Sequence, residues 1–200
     1  MKKVLSLLLF LPFLTSALAG NTITVKSGET SVFSFSEEAT ITFDYSKAEI
    51  EGKGVSLEDY FDEKGYKKAA QWERAKEFSH KEFIKRYNKK SPGLKLVEES
   101  KSAKYNVDIQ IRAINFGNTL KSLLPVGLHT EGGAVLYGRI IVKDKNGTEL
   151  CILKFSNVQG LGSTGIEARM MFVYQQLSSD LLKFLKKSKS SQSLDEDDDE

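Results

Sequence analysis

YNVDIQIRAI, residues 105–114, decides the fold. Val107, Ile109, Ile111 and Ala113 alternate there with Asn106, Asp108, Gln110 and Arg112. Successive side chains on a strand point to opposite faces, so a period of two predicts a strand with one dry face and one wet face. Two further runs follow, VLYGRIIV at 135–142 and TELCILKF at 148–155, with Asn146 and Gly147 between them. Asn-Gly favours a type I′ turn, because both central residues of that turn need positive φ. The last two runs therefore read as a hairpin. Gly138, inside the first of them, predicts a bulge or a close backbone approach.

Two long segments change the period from two to 3.6. Around Trp72, Ala69, Ala75, Phe83 and Tyr87 fall within about 60° on a helical wheel, with Phe78 and Ile84 flanking the stripe. Lys and Glu take the other face, His80 falls on the wet side, and Ser91, Pro92 and Gly93 stop the helix, which the pattern places at 67–88. The second helix spans 165–187, where Ile166, Val173, Tyr174, Leu177, Leu181, Phe184 and Leu185 share a face with Met170. Its Lys183, Lys186 and Lys187 complement the negative end of the helix dipole. Shorter elements complete the pattern. Residues 21–35 read as one or two strands around Ser27, Gly28 and Glu29, and 39–45 alternate as another strand. Ser56 caps a short helix, with Asp59 three residues on and Gly65 at its end. Residues 94–97 make one more short strand. The fold class is α+β: two layers, a mostly antiparallel sheet of four to six strands, with the helices packed on one face.

The ends of the chain read differently from its middle. Lys2 and Lys3, the apolar run at 4–14 and the triplet Ala17, Leu18, Ala19 have the form of a signal peptide, residues 1–19, cleaved before Gly20. A lipid anchor would require Cys where Gly20 stands. The mature chain is expected outside the cytoplasm, periplasmic or secreted. Residues 20–187 form a single domain, and 188–200 are expected as a disordered acidic tail. The formal charge of +2 falls to near zero once Lys2 and Lys3 are removed. The acids of 195–200 leave the body correspondingly basic, much of it on the helix at 67–88. Glu73, Glu77 and Glu82 are interspersed there, the pattern of a solvated helix face rather than a nucleic-acid surface. Cys151 is the only cysteine, so no intramolecular disulfide forms. It shares a strand face with Leu153 and Phe155 and reads as a buried thiol.

Few residues suggest chemistry. Gly160, Gly162 and Gly165 form a literal GxGxxG that opens a helix. The strand before it belongs to an antiparallel hairpin, and no parallel strand with a ribose-binding acid follows, so no dinucleotide is expected. Anion binding by Gly160, Gly162 and Gly165 at that helix N-terminus stays open. His80 and His129 lie at no metal-ligand spacing to each other or to Cys151, and no cofactor or metal is expected. Nothing of the form G-x-S-x-G marks a nucleophile, and no catalytic residue is nominated. The stretch 116–133 has no period but is apolar: Leu120, Leu123, Leu124, Val126 and Leu128 lie in it beside Pro125 and Gly127. Such an insert either folds over a core edge as a lid or presents Leu120, Leu123, Leu124, Val126 and Leu128 to a protein partner or a membrane surface.

The order of these pieces carries a resemblance. A strand and helix precede AKYNVDIQIRAINFG (103–117), and an apolar, glycine-bearing insert follows it. Then come GGAVLYGRIIVKDKNGTELCILKFSNVQGLGSTG (132–165) and a last helix. This resembles the bacterial exported envelope proteins whose domain is similar to the periplasmic domain of the curli secretion channel subunit and to the TolB amino-terminal domain. Their hairpin signature corresponds here to DKNGTEL, residues 144–150. The resemblance implies a two-layer α/β domain that binds other envelope components and catalyses nothing. The insert is too short for the channel protein's membrane hairpins, so no pore is implied. The function expected is a non-catalytic binding or assembly module of the cell envelope with an envelope protein as partner. The alternatives are a periplasmic protein binding a small ligand or anion, and a hydrolase without a recognisable motif.

Overall fold

The computed structural model describes residues 22–117 and 132–195. The signal peptide and its cleavage point lie outside the described residues, as do Leu120, Leu123, Leu124, Val126, Leu128, His129 and the final acids 196–200. In chain order come β1 (Thr22–Gly28), a 3-10 turn (Thr30–Ser34), β2 (Glu38–Asp44), β3 (Glu49–Ile50) and β4 (Val55–Ser56). Helices α1 (Leu57–Lys64) and α2 (Tyr66–Lys90) follow, then β5 (Lys95–Val97), β6 (Tyr105–Asn115), β7 (Val135–Asp144), β8 (Glu149–Gln159) and α3 (Ile166–Asp195).

The fold is α+β, with a larger and more mixed sheet than its sequence pattern predicts. Among the described residues the sheet has eight strands, ordered β1-β8-β7-β6-β2-β5, with β3 on β6 beyond the end of β2 and β4 on β3. The pairs from β1 through β8 and β7 to β6 are antiparallel, but β2 runs parallel to both β5 and β6. The connection from β2 to β5 passes through α1 and α2, the long crossover that parallel strands require. Hydrophobic alternation reports faces, not directions, and β3, β4 and β5 are too short to show a period.

Val107, Ile109 and Ile111 of β6 point into the core as the alternation predicts. Ala113 does not. The register with β7 shifts between Ile111 and Ala113, and Ile114 takes the dry face with no exposure. A matching shift lies between Leu136 and Gly138, where β7 meets β8. A Cβ on Gly138 would stand 2.1 Å from the Gln110 carbonyl oxygen and 2.6 Å from Phe155 Cζ. The missing side chain is what admits the buried Phe155 ring. The β7–β8 turn also differs from the type that its Asn-Gly pair predicts. Only Gly147 has positive φ, at 85°. The Asp144 carboxylate accepts the amides of Asn146 and Thr148, both at 2.8 Å. Gly147 N–H donates to the Asp144 carbonyl at 3.1 Å, so the connection is a type I turn closed by a left-handed glycine rather than type I′.

Helices α2 and α3 cover one face of the sheet. Three side-chain links tie them: Arg74 to Glu167, Gln175 to Glu82, and Arg86 to Ser179. Each joins residues 93 apart in sequence, so the helices run parallel and in step. Helix α3 continues to Asp195, where a disordered tail from 188 is expected from composition. Ser188 Oγ donates to the Phe184 carbonyl at 3.1 Å and Ser190 Oγ to Lys187 at 2.8 Å. These serines satisfy themselves on the preceding turn and so do not end the helix.

Candidate functional site: a lysine-rimmed cavity at the ends of the long helices

An apolar concavity lies where α2 ends, beside the second half of α3 and the 3-10 turn. Three local structures build it. Asn88 pairs with β5 as a strand would, donating to the Leu96 carbonyl at 2.7 Å and accepting its amide at 2.8 Å. Lys95 Nζ donates to the carbonyls of Asn88 and Ser91, at 3.0 and 2.6 Å, which otherwise lack partners at a helix C-terminus. Leu94 N–H donates to the Phe33 carbonyl at 3.1 Å, clamping the loop after α2 to the 3-10 turn. That clamp needs Gly93: a Cβ there would meet the Phe33 oxygen at 2.4 Å.

The resulting cavity holds about 510 Å³, within the range of small-ligand sites. Phe33, 4% exposed, forms its floor with Leu182 and Leu185. Pro92 forms part of the wall, and Lys90, Lys183, Lys186 and Lys189 stand around the mouth. Lys183, Lys186 and Lys189 recur every three residues on α3, so they share the face that carries Leu182 and Leu185 to the cavity. No Asp or Glu lines it among the described residues.

The residues singled out in the sequence are elsewhere. Gly160 is taken up by packing: a Cβ on it would come within 2.5 Å of the Val173 amide nitrogen. Arg169 folds back over this turn and donates from Nη1 to the Ser163 carbonyl at 2.8 Å. Gly162 and Gly165 are half-exposed, and the Gly165 carbonyl accepts the Arg169 amide at 3.1 Å. Beside that end of the molecule the insert leaves and rejoins the sheet, with Gly117 packed on the carbonyls of Gly132 and Gly133. The cavity is at the opposite end of α3, roughly 24 Å away along the helix at 1.5 Å per residue.

His80 is not on the wet face. It stacks on Phe43 with ring centroids 3.8 Å apart and meets Tyr45 Oη at 2.8 Å through Nε2. Tyr45 in turn shares a short hydrogen bond with Tyr174 Oη. Burial, with the Lys76 charge as a second cause, pushes the His80 pKa down to about 4. Trp72 is a core residue, stacked on Phe61 and edge-on to Tyr45. Cys151 is 1% exposed, and burial lifts its thiol to about 11. Among the described residues no group of three or more His, Cys, Asp or Glu could hold a metal ion, and no helix is long and apolar enough to cross a membrane.

Sequence reasoning missed the cavity because its walls come from residues 30–34, 90–92 and 179–189. One signal was present, the three-residue spacing of lysines interleaved with Leu182 and Leu185. Read by itself it describes a dipole-matched helix end.

Neither a protein-family model nor a curated protein matches the sequence. Among solved structures, the chain is similar to the PelC dodecamer from Paraburkholderia phytofirmans at 12% identity and a TM-score of 0.41, covering 78% of this chain and 96% of that one. A single-substitution variant of the same PelC dodecamer gives 10% identity and a TM-score of 0.37 over 80% and 95% of the two chains. Likeness at that level carries no conclusion about what this chain does.

Proposed function

We propose that the chain is an exported, non-catalytic binding module of the cell envelope that holds a small ligand in the helix-end cavity. The observation that carries the reading is the cavity itself: about 510 Å³, with an apolar floor inside a polar rim. A few placed polar groups around a mostly apolar concavity are the general form of small-ligand sites. Lys2, Lys3 and the triplet Ala17, Leu18, Ala19 support export, and the pattern around 144–150 supports an envelope setting.

A neutral fluorophore such as N-phenylnaphthylamine, bright only in apolar surroundings, tests the site. The mature chain is expected to bind it with saturation. Ser34→Trp places an indole at an exposed position on the cavity wall and is expected to remove that binding while the thermal unfolding midpoint holds. Equal binding by a folded Ser34→Trp variant contradicts the reading.

A further inference from the structure

We infer that the occupant is a single-chain amphiphile with an anionic headgroup, in its simplest form an acyl carboxylate. This rests on the cavity being the binding site and names the chemistry it selects. Two features meet in one concavity. Phe33, Leu182 and Leu185 give it an apolar floor, and Lys90, Lys183 and Lys186 stand at the mouth. The nearby acid is Asp180, whose Oδ1 is 3.9 Å from Lys183 Nζ, at the outer limit of an ion pair. Lys90 and Lys186 make no ion pair among the described residues.

A wholly apolar ligand would bury the floor and leave the lysine charges without a counter-charge. A compact anion such as phosphate would meet the lysines and leave the floor wet. An anionic amphiphile answers both, with its chain displacing water from the floor and its head among the ammonium groups. The rim is lysine and not arginine. Ammonium groups on flexible stems act as point charges, without the fixed fork that reads a planar headgroup, so the site selects sign of charge over headgroup shape. Chain length follows from volume. With a methylene taking a space close to the roughly 30 Å³ of a water molecule, a chain on the order of twelve carbons fills the floor and leaves space for a head.

The test is a displacement titration of bound N-phenylnaphthylamine by soluble amphiphiles below their micelle concentrations. Dodecanoate is expected to bind at least tenfold more tightly than dodecyl maltoside and dodecyltrimethylammonium, which carry the same chain. From octanoate to dodecanoate each methylene should tighten binding about fourfold. The Lys183→Glu, Lys186→Glu double variant should lose at least tenfold in dodecanoate affinity relative to dodecyl maltoside affinity, with the unfolding midpoint unchanged. Equal affinity for dodecanoate and dodecyl maltoside overturns the inference and leaves the cavity reading standing. So does competition by inorganic phosphate as strong as that by dodecanoate. Binding to anionic vesicles without binding of monomeric dodecanoate overturns it too, and makes the lysines a membrane-surface contact. Failure of the fluorophore itself to bind overturns the cavity reading instead.

Discussion

Gly93 and His80 hold opposite kinds of information about this chain. Gly93 has no room for a side chain, because the Phe33 oxygen would stand 2.4 Å from its Cβ. Gly93→Ala is expected to cost about 2–3 kcal/mol, read by urea denaturation, since a backbone atom cannot move aside as a side-chain tip can. In the sequence it is only the glycine of a helix-stopping Ser-Pro-Gly. His80 carries a pH dependence. Its pKa is about 4 in the folded chain, and 6.5 is the ordinary value. Between those values the unfolded chain binds a proton that the folded chain does not. Stability is therefore full above pH 6.5 and falls as the pH drops toward 4, by about 2–3 kcal/mol. His80→Phe is expected to flatten the unfolding free energy across that window; an unchanged slope would show that another group titrates. The sequence places His80 on the wet face because the helical wheel takes no account of Phe43 and Tyr45, which reach across from β2 and the turn after it. Cys151 reads correctly from its own strand, since its neighbours Leu153 and Phe155 decide its surroundings.

At the scale of elements, periodicity was the reliable guide. The stripe on α2 was legible: Trp72, Ala75, Phe83 and Tyr87 are all buried. Its margin was not. Phe78 is 53% exposed, although the wheel places it beside the stripe. The two phenylalanines therefore separate cleanly. Phe83, with no exposure and edge-on to Phe43 and Tyr174, should lose about 3–5 kcal/mol as Phe83→Ala. Phe78→Ala should stay within roughly 0.5 kcal/mol. Equal losses in chemical denaturation would mean that α2 is rotated from the orientation described. Strands obey the same rule until a bulge interrupts them, as at Ala113 and Ile114. Turn chemistry is where a dipeptide misleads: Asn146 and Gly147 suggest type I′, but the Asp144 carboxylate binds two amides and selects type I.

The whole molecule joins segments that are far apart in the chain, and that is what a sequence read by period leaves hidden. Two layers and helices on one face followed from amphipathic patterns. The parallel pairing of β2 with β5 and β6 did not, because alternation is blind to strand direction. The cavity did not either, since its walls come together only when α2 and α3 align in parallel with matching ends. Its rim consists of exposed lysines that contribute little to folding. Lys90→Ala, Lys186→Ala or Lys189→Ala should therefore leave the unfolding midpoint within about a degree in differential scanning fluorimetry while binding weakens. The most direct measurement is a backbone-amide chemical-shift map of the mature chain titrated with dodecanoate. Saturable shifts are expected, grouped at residues 30–34, 90–92 and 179–189, with Gly117, Gly132 and the Gly160–Gly165 turn unmoved. Shifts centred on that turn or on the open face of the sheet, or no shifts at saturating dodecanoate, would contradict it.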